Sequence, residues 1–324
     1  MVGPAYRPAK HEIGTHYGDD MSESAEFVEV VVDRDVTVAL SLYGPQDPDA
    51  TPLVLLHGLS QQRFFWGPVL ERMRSRPVAA LDQRGHGDSD SPLSADYSID
   101  ACAHDVLAVL DRLGWSRAVI AGHSWGAWIA LRAAARDPGR VAGLALIDGG
   151  LWTVGGDEDR GTVRERLRPP ELGMPADDLW AMISRDSLAP YWTSELRAAL
   201  EPTFVTAPDG TLRTRIGVER HMRVLDGLLD AAPAEDLRAC AESGVPIWAA
   251  LAVSDTTDAS APRETNIAGA ATYANLRIHR WPGALHDVPL QWPSLVAGFI
   301  DSLVVEIDGA QHRRGASAPV GGTA

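Results

Sequence analysis

The sequence predicts an α/β protein: a doubly wound, mostly parallel sheet with a helical insertion. Three observations predict it. Short continuous apolar runs recur along the chain, as expected of strands buried on both faces. Helical stretches alternate with those runs, the pattern of parallel strand–helix–strand units. The alternation stops after Gly150 and resumes near residue 241.

Taken in order, residues 1–24 are polar and broken by Gly and Pro, and read as a flexible N-terminal tail. EFVEVVVDRDVTVALSLYG (26–44) holds two β-rich runs around Asp33-Arg34-Asp35, a hairpin pattern. LVLLHG (53–58), PVAALD (77–82), RAVIAG (117–122), GLALID (143–148) and PIWAALAV (246–253) are the buried runs. Between them, SIDACAHDVLAVLDRLG has the form of a helix, with Ser98 as N-cap and Gly114 as stop. A second helix follows Ser124 and runs toward Asp137-Pro138-Gly139. Residues 151–240 show helical fragments and no convincing buried strand, and read as a helical cap. LRIHRWPG (276–283) is a last strand and PSLVAGFIDSLV a last helix. From Asp308 the apolar content vanishes, so 308–324 reads as a flexible tail. The core is thus expected over 25–150 and 241–307.

Composition narrows the function classes. The 324 residues are 45% hydrophobic and 23% charged, the balance of a globular enzyme large enough for a sizeable core. A formal charge of −15 disfavours nucleic acid and anionic membrane as partners. Cys102 and Cys240 are the only cysteines and form no CxxC pair, so neither a zinc site nor a disulfide framework is expected. The first twenty residues lack the apolar core of a signal peptide, and no run of eighteen apolar residues occurs. The expected location is the cytoplasm; the sequence leaves the oligomeric state open.

Residues 118–126, AVIAGHSWG, carry the strongest local signal. A strand that turns into a helix within a few residues forces its apex into strained backbone geometry. Small neighbours let the flanking segments approach. The result is a hydroxyl held at the sheet edge beside a helix N-terminus, the geometry of a G-x-S-x-G nucleophile elbow. A serine hydroxyl is a weak nucleophile at neutral pH, so it needs a base within hydrogen-bond reach and a carboxylate to orient that base.

With that motif in place, the chain resembles the α/β-hydrolase superfamily over about residues 26–306. It carries, in the family's order, His57-Gly58 after the first buried run, DQRGHGDSD (82–90), GHSWG, LIDGG (146–150), PIWAALAVSD (246–255) and LHDVPLQWP (285–293). The resemblance implies Ser124 as nucleophile and His286 as base. It places the acid at Asp255, nine positions after Pro246, with Asp258 and Asp148 as alternatives. It implies an oxyanion hole from the backbone N–H groups of Leu59 and Trp125. The other histidines, His57, His86 and His123 among them, are read as structural. Relatives that open epoxides or displace halide carry Asp at the elbow, so Ser124 points away from both reactions.

The implied chemistry is acyl transfer to water, without metal or organic cofactor, on a small and fairly apolar carboxylic ester or lactone. Amide, thioester or C–C bond cleavage by the same fold is the alternative, as is a catalytically idle small-molecule receptor. Trp152, Trp180, Tyr191 and Trp192 in the insertion are candidates to wall the substrate pocket, or else simply pack the cap.

Overall fold

A computed structural model describes residues 25–47, 49–73, 75–90, 92–253 and 261–316. The expected N-terminal tail, Asp255 and Asp258 lie outside the described residues.

In chain order the strands are β1 (Glu26–Asp33), β2 (Val36–Tyr43), β3 (Leu53–Leu56), β4 (Val78–Asp82), β5 (Ala118–His123), β6 (Val141–Ile147), β7 (Met174–Pro175), β8 (Phe204–Thr206), β9 (Thr211–Thr214), β10 (Ile247–Val253) and β11 (Leu276–Pro282). The helices are α1 (Gly67–Leu70), α2 (Ile99–Arg112), α3 (Trp125–Arg136), α4 (Arg160–Arg166), α5 (Ala176–Ile183), α6 (Ser194–Leu200), α7 (Val218–Leu229), α8 (Pro233–Ser243), α9 (Ala261–Ala270), α10 (Val288–Gln291) and α11 (Pro293–Ala316). Eight strands form one sheet in the order β1-β2-β4-β3-β5-β6-β10-β11. The hairpin β1–β2 and the β2–β4 pair are antiparallel; the other pairings are parallel.

The apolar runs explain the layering. Side chains alternate across a strand. In β3, Leu53 and Leu55 therefore enter the apolar cluster on one face, and Val54 and Leu56 the cluster on the other. All four are fully buried, and each is worth about 1.5–3 kcal/mol of transfer free energy. The N-cap expected for α2 is present: the Ser98 side chain accepts from the Ala101 N–H. The order reverses at β3, whose neighbours β4 and β5 lie on opposite sides. Segments leaving β3 and β5 diverge there, and the gap outside their carboxyl ends is where such sheets bind ligands.

Three features differ from the sequence reading. Helix α8 packs on α3 beside the sheet, with Leu237 and Cys240 buried and Asp236 accepting from Arg132 Nε at 3.0 Å. It belongs with the core, so the insertion ends near residue 232. The insertion also contains a three-stranded antiparallel sheet, β7-β9-β8, whose strands are too short and too exposed to show an apolar run. Helix α11 continues to Ala316 through the stretch expected to be a tail: Asp308 accepts from Thr51 Oγ1 at 2.5 Å and faces Arg76 at 3.6 Å, which ties that turn to the core. Among the described residues no helix is long and apolar enough to cross a membrane.

Candidate active site

The elbow takes the form its glycines require. Ser124 sits between β5 and α3 with φ 48° and ψ −125°. A non-glycine residue in such a conformation costs about 1–3 kcal/mol and persists only where its surroundings enforce it. Here the Ser124 N–H donates to the Ile147 carbonyl (2.9 Å), and its own carbonyl accepts from the Ala127 N–H (2.8 Å). A Cβ on Gly122 would stand 2.2 Å from the Gly126 carbonyl oxygen, and one on Gly126 would stand 2.4 Å from that of Leu56. Only glycine fits either place.

A chain of hydrogen bonds leads from this serine. The Ser124 hydroxyl donates to His286 Nε2 at 2.9 Å, and His286 Nδ1–H donates to Asp148 Oδ2 at 2.7 Å. The imidazole keeps a partly exposed edge, while the carboxylate it meets is almost fully buried. Asp148 follows β6 directly, with φ 45°, and its N–H donates to the Ala250 carbonyl at 2.8 Å. Its second oxygen, Oδ1, accepts from the Ala252 N–H and from Arg263 Nη2, each at 3.2 Å. Among the described residues the carboxylate that meets His286 is therefore Asp148, the alternative; Asp255, the preferred reading, lies outside the described residues. The strands explain why both positions were candidates. β6 and β10 are parallel neighbours, so a carboxylate at the end of either reaches the same edge of the sheet.

His286 leaves β11 on a loop pinned at each side. Its carbonyl accepts from His123 Nε2–H at 2.8 Å, and the Leu285 N–H donates to Gln291 Oε1 at 2.7 Å. Burial works against charging the imidazole, but the hydrogen bond to Asp148 and the charges of Asp287 and Asp148 outweigh it, with Arg263 opposing them. The net result holds its pKa above the ordinary histidine value.

The two expected oxyanion donors border the serine. Trp125 is the first residue of α3, and a Cβ on Gly58 would lie 3.2 Å from Ser124 Cβ, which brings the 57–59 segment alongside. Neither the Leu59 nor the Trp125 N–H has a hydrogen-bond partner among the described residues. Gln61, which the sequence reading passed over, ties this loop to the histidine loop. Its Oε1 accepts from the Gly58 N–H (3.0 Å), and its Nε2 donates to Asp287 Oδ1 (2.9 Å).

The remaining candidates divide. His57, His86 and His123 are buried and hold backbone groups; burial depresses their pKa values, to about 3 for His57 and about 4 for His123. Both thiols are buried, and burial pushes Cys240 up to about 12, so neither competes as a nucleophile. Trp152 lies beside the acid, with the Arg263 guanidinium 4.3 Å over its ring. Tyr191 accepts from Gln291 Nε2 at 3.0 Å. Trp180 and Trp192 instead pack against each other, and Trp180 against Phe204, in the insertion's own apolar cluster. No sequence motif marks Arg263. Among the described residues no group of three His, Cys, Asp or Glu side chains is arranged to hold a metal ion.

Residues 51–180 match the alpha/beta hydrolase fold family. The chain is 31% identical over 176 residues to lipase LipV of Mycobacterium tuberculosis, covering 54% of this chain and 65% of that protein. It is 32% identical over 163 residues to N-formylmaleamate deformylase of Pseudomonas putida, covering 48% of this chain and 61% of that protein. These matches span less than two thirds of either relative. The crystal structure of E-2-(acetamidomethylene)succinate hydrolase superposes with a TM-score of 0.70 at 22% identity, covering 87% of this chain and 99% of the other, a likeness of fold. The sheet order, the elbow between β5 and α3 and these matches agree on the alpha/beta hydrolase fold.

Proposed function

We propose that the chain is a serine hydrolase that cleaves a small, fairly apolar carboxylic ester or lactone through an acyl-enzyme. The observation that carries this reading is the pair of contacts at His286: 2.9 Å to the Ser124 hydroxyl and 2.7 Å to Asp148. Ser124 Oγ attacks the carbonyl carbon as His286 Nε2 takes its proton. Asp148 keeps the imidazole in the tautomer with Nδ1 protonated and stabilises the imidazolium. The oxyanion lies between the N–H groups of Leu59 and Trp125. The tetrahedral adduct collapses, the C–O bond to the leaving group breaks, and His286 returns the proton to the departing alcohol. Water then repeats the sequence on the acyl-enzyme and releases the acid.

The insertion over residues 151–232 acts in this reading as a cap on the crevice. Its contacts support that: the Ala199 carbonyl accepts from Gln62 Nε2, and His221 meets Ser60. Amide cleavage is the second reading, favoured by the name of the P. putida deformylase. The test is turnover of p-nitrophenyl acetate beside a formamide of matched size. Ester hydrolysis that vanishes in Ser124→Ala supports the proposal. Formamide turnover above ester turnover selects the second reading, and full activity in Ser124→Ala refutes both.

A further inference from the structure

Among the described residues three non-glycines have φ in the left-handed region: Ser60 at 68°, Ser124 at 48° and Asp148 at 45°. The second and third supply the proposed nucleophile and acid. Backbone strain of this kind collects at functional sites, where surrounding contacts hold it. Ser60 is the one without an assigned role, and it directly follows Leu59.

The contacts around it bracket one peptide unit. On one side the Gly58 N–H donates to Gln61 Oε1 at 3.0 Å. On the other, the Ser60 N–H donates to His86 Nε2 at 3.3 Å, while His86 Nδ1–H donates to the Arg84 carbonyl at 3.1 Å. The Leu59 N–H stands between two anchored amides and has no hydrogen-bond partner among the described residues. The Ser60 side chain is anchored too: its Oγ and His221 Nδ1 share a hydrogen bond of 2.6 Å.

His221 comes from a different part of the molecule. It stands on α7, in the insertion, and is 8% exposed. Burial holds its imidazole below the ordinary pKa, with the Leu167 carbonyl opposing, so the ring is neutral near pH 7. Helix α7 is itself fixed: Asp226 accepts from Arg164 Nε at 2.9 Å, and a Cβ on Gly227 would stand 2.3 Å from the Tyr97 carbonyl oxygen. A helix of the insertion thus reaches the loop beside the serine through the Ser60–His221 pair.

We propose that Ser60 and His221 are positioning residues that hold the Leu59 amide at the angle the oxyanion requires, so that the insertion completes the oxyanion hole. This rests on the serine-hydrolase reading. Removing a whole oxyanion donor costs roughly 10²–10³ in kcat, so a donor left in place but loosely aimed is expected to cost about tenfold.

The test uses p-nitrophenyl acetate and a trifluoromethyl ketone, whose adduct with Ser124 carries the same oxyanion. Ser60→Ala and His221→Ala should each lower kcat about tenfold, leave KM within about twofold, and weaken the ketone by the same factor as kcat. The double variant should be no worse than either single one, because both break one contact. His221→Asn, whose amide can occupy the place of Nδ1, should restore most of the activity. Ser60→Gly, which relaxes the backbone but lacks the hydroxyl, should behave as Ser60→Ala and serves wherever another variant fails to fold. Unchanged kcat and ketone affinity in the folded variants would overturn the proposal, and so would losses that multiply to about a hundredfold. Ser124→Ala separates the two levels. If it abolishes turnover while the Ser60 and His221 variants are normal, only the positioning role fails; if it retains turnover, the underlying reading fails.

Discussion

Asp148→Asn isolates the acid with almost no change of shape. Both partners of Asp148 Oδ1 are donors, the Ala252 N–H and Arg263 Nη2, each at 3.2 Å. An asparagine must therefore turn its oxygen toward them, since its NH₂ group would meet two donors there. The NH₂ group is then aimed at His286 Nδ1, where the carboxylate oxygen stood at 2.7 Å. That nitrogen can only accept, so the ring proton moves to Nε2 and faces the Ser124 hydroxyl. The serine loses its base. The wrong tautomer in a serine triad lowers kcat on the order of 10⁴-fold, about 5.5 kcal/mol at 1.36 kcal/mol per tenfold. Stopped-flow or steady-state hydrolysis of p-nitrophenyl acetate, with a thermal melt to establish folding, reads this directly. The same assay on Asp255→Asn and Asp258→Asn should show changes within about threefold. A folded Asp148→Asn variant within tenfold of the parent, or a collapse confined to Asp255→Asn, would refute the assignment.

Four further outcomes follow from the geometry. His286 must be neutral to act as a base, and its pKa lies above the ordinary 6.5, so log kcat/KM should fall with falling pH through a midpoint above 6.5. Asp287→Asn keeps an acceptor for Gln61 but removes a charge that raises this pKa, so the midpoint should move to lower pH; an unmoved or higher midpoint contradicts the electrostatic account. Gly122→Ala drives a methyl into backbone at 2.2 Å and should cost at least about 1–3 kcal/mol, seen as a lower Tm. Gly298→Ala in α11, with nothing within 4 Å, should instead be neutral or stabilising by up to about 1 kcal/mol.

Much of the fold was legible because its strands are buried on both faces. LVLL, VAALD and VAGLALI are continuous apolar runs for that reason, and each became a strand. The elbow was legible because a backbone clash leaves glycine as the only choice at 122 and 126. The contact of Asp148 with His286 was less so, because β6 and β10 end side by side and spacing along the chain does not say which carboxylate the imidazole meets. The LIDGG stretch did carry a usable sign: Asp tolerates left-handed φ, and a Cβ on Gly149 would stand 2.5 Å from the Ser124 carbonyl oxygen. The insertion's sheet was hidden by strands of two to four residues with half-exposed faces. Ser60, Gln61, His221 and Arg263 act through contacts between distant segments, which no local pattern announces.

The most direct measurement is the site of covalent capture by a fluorophosphonate, read by intact mass and peptide mapping. The account predicts a single adduct on the peptide bearing Ser124, absent in Ser124→Ala and much slower in His286→Ala. Capture at another residue, or equal capture in Ser124→Ala, would contradict it.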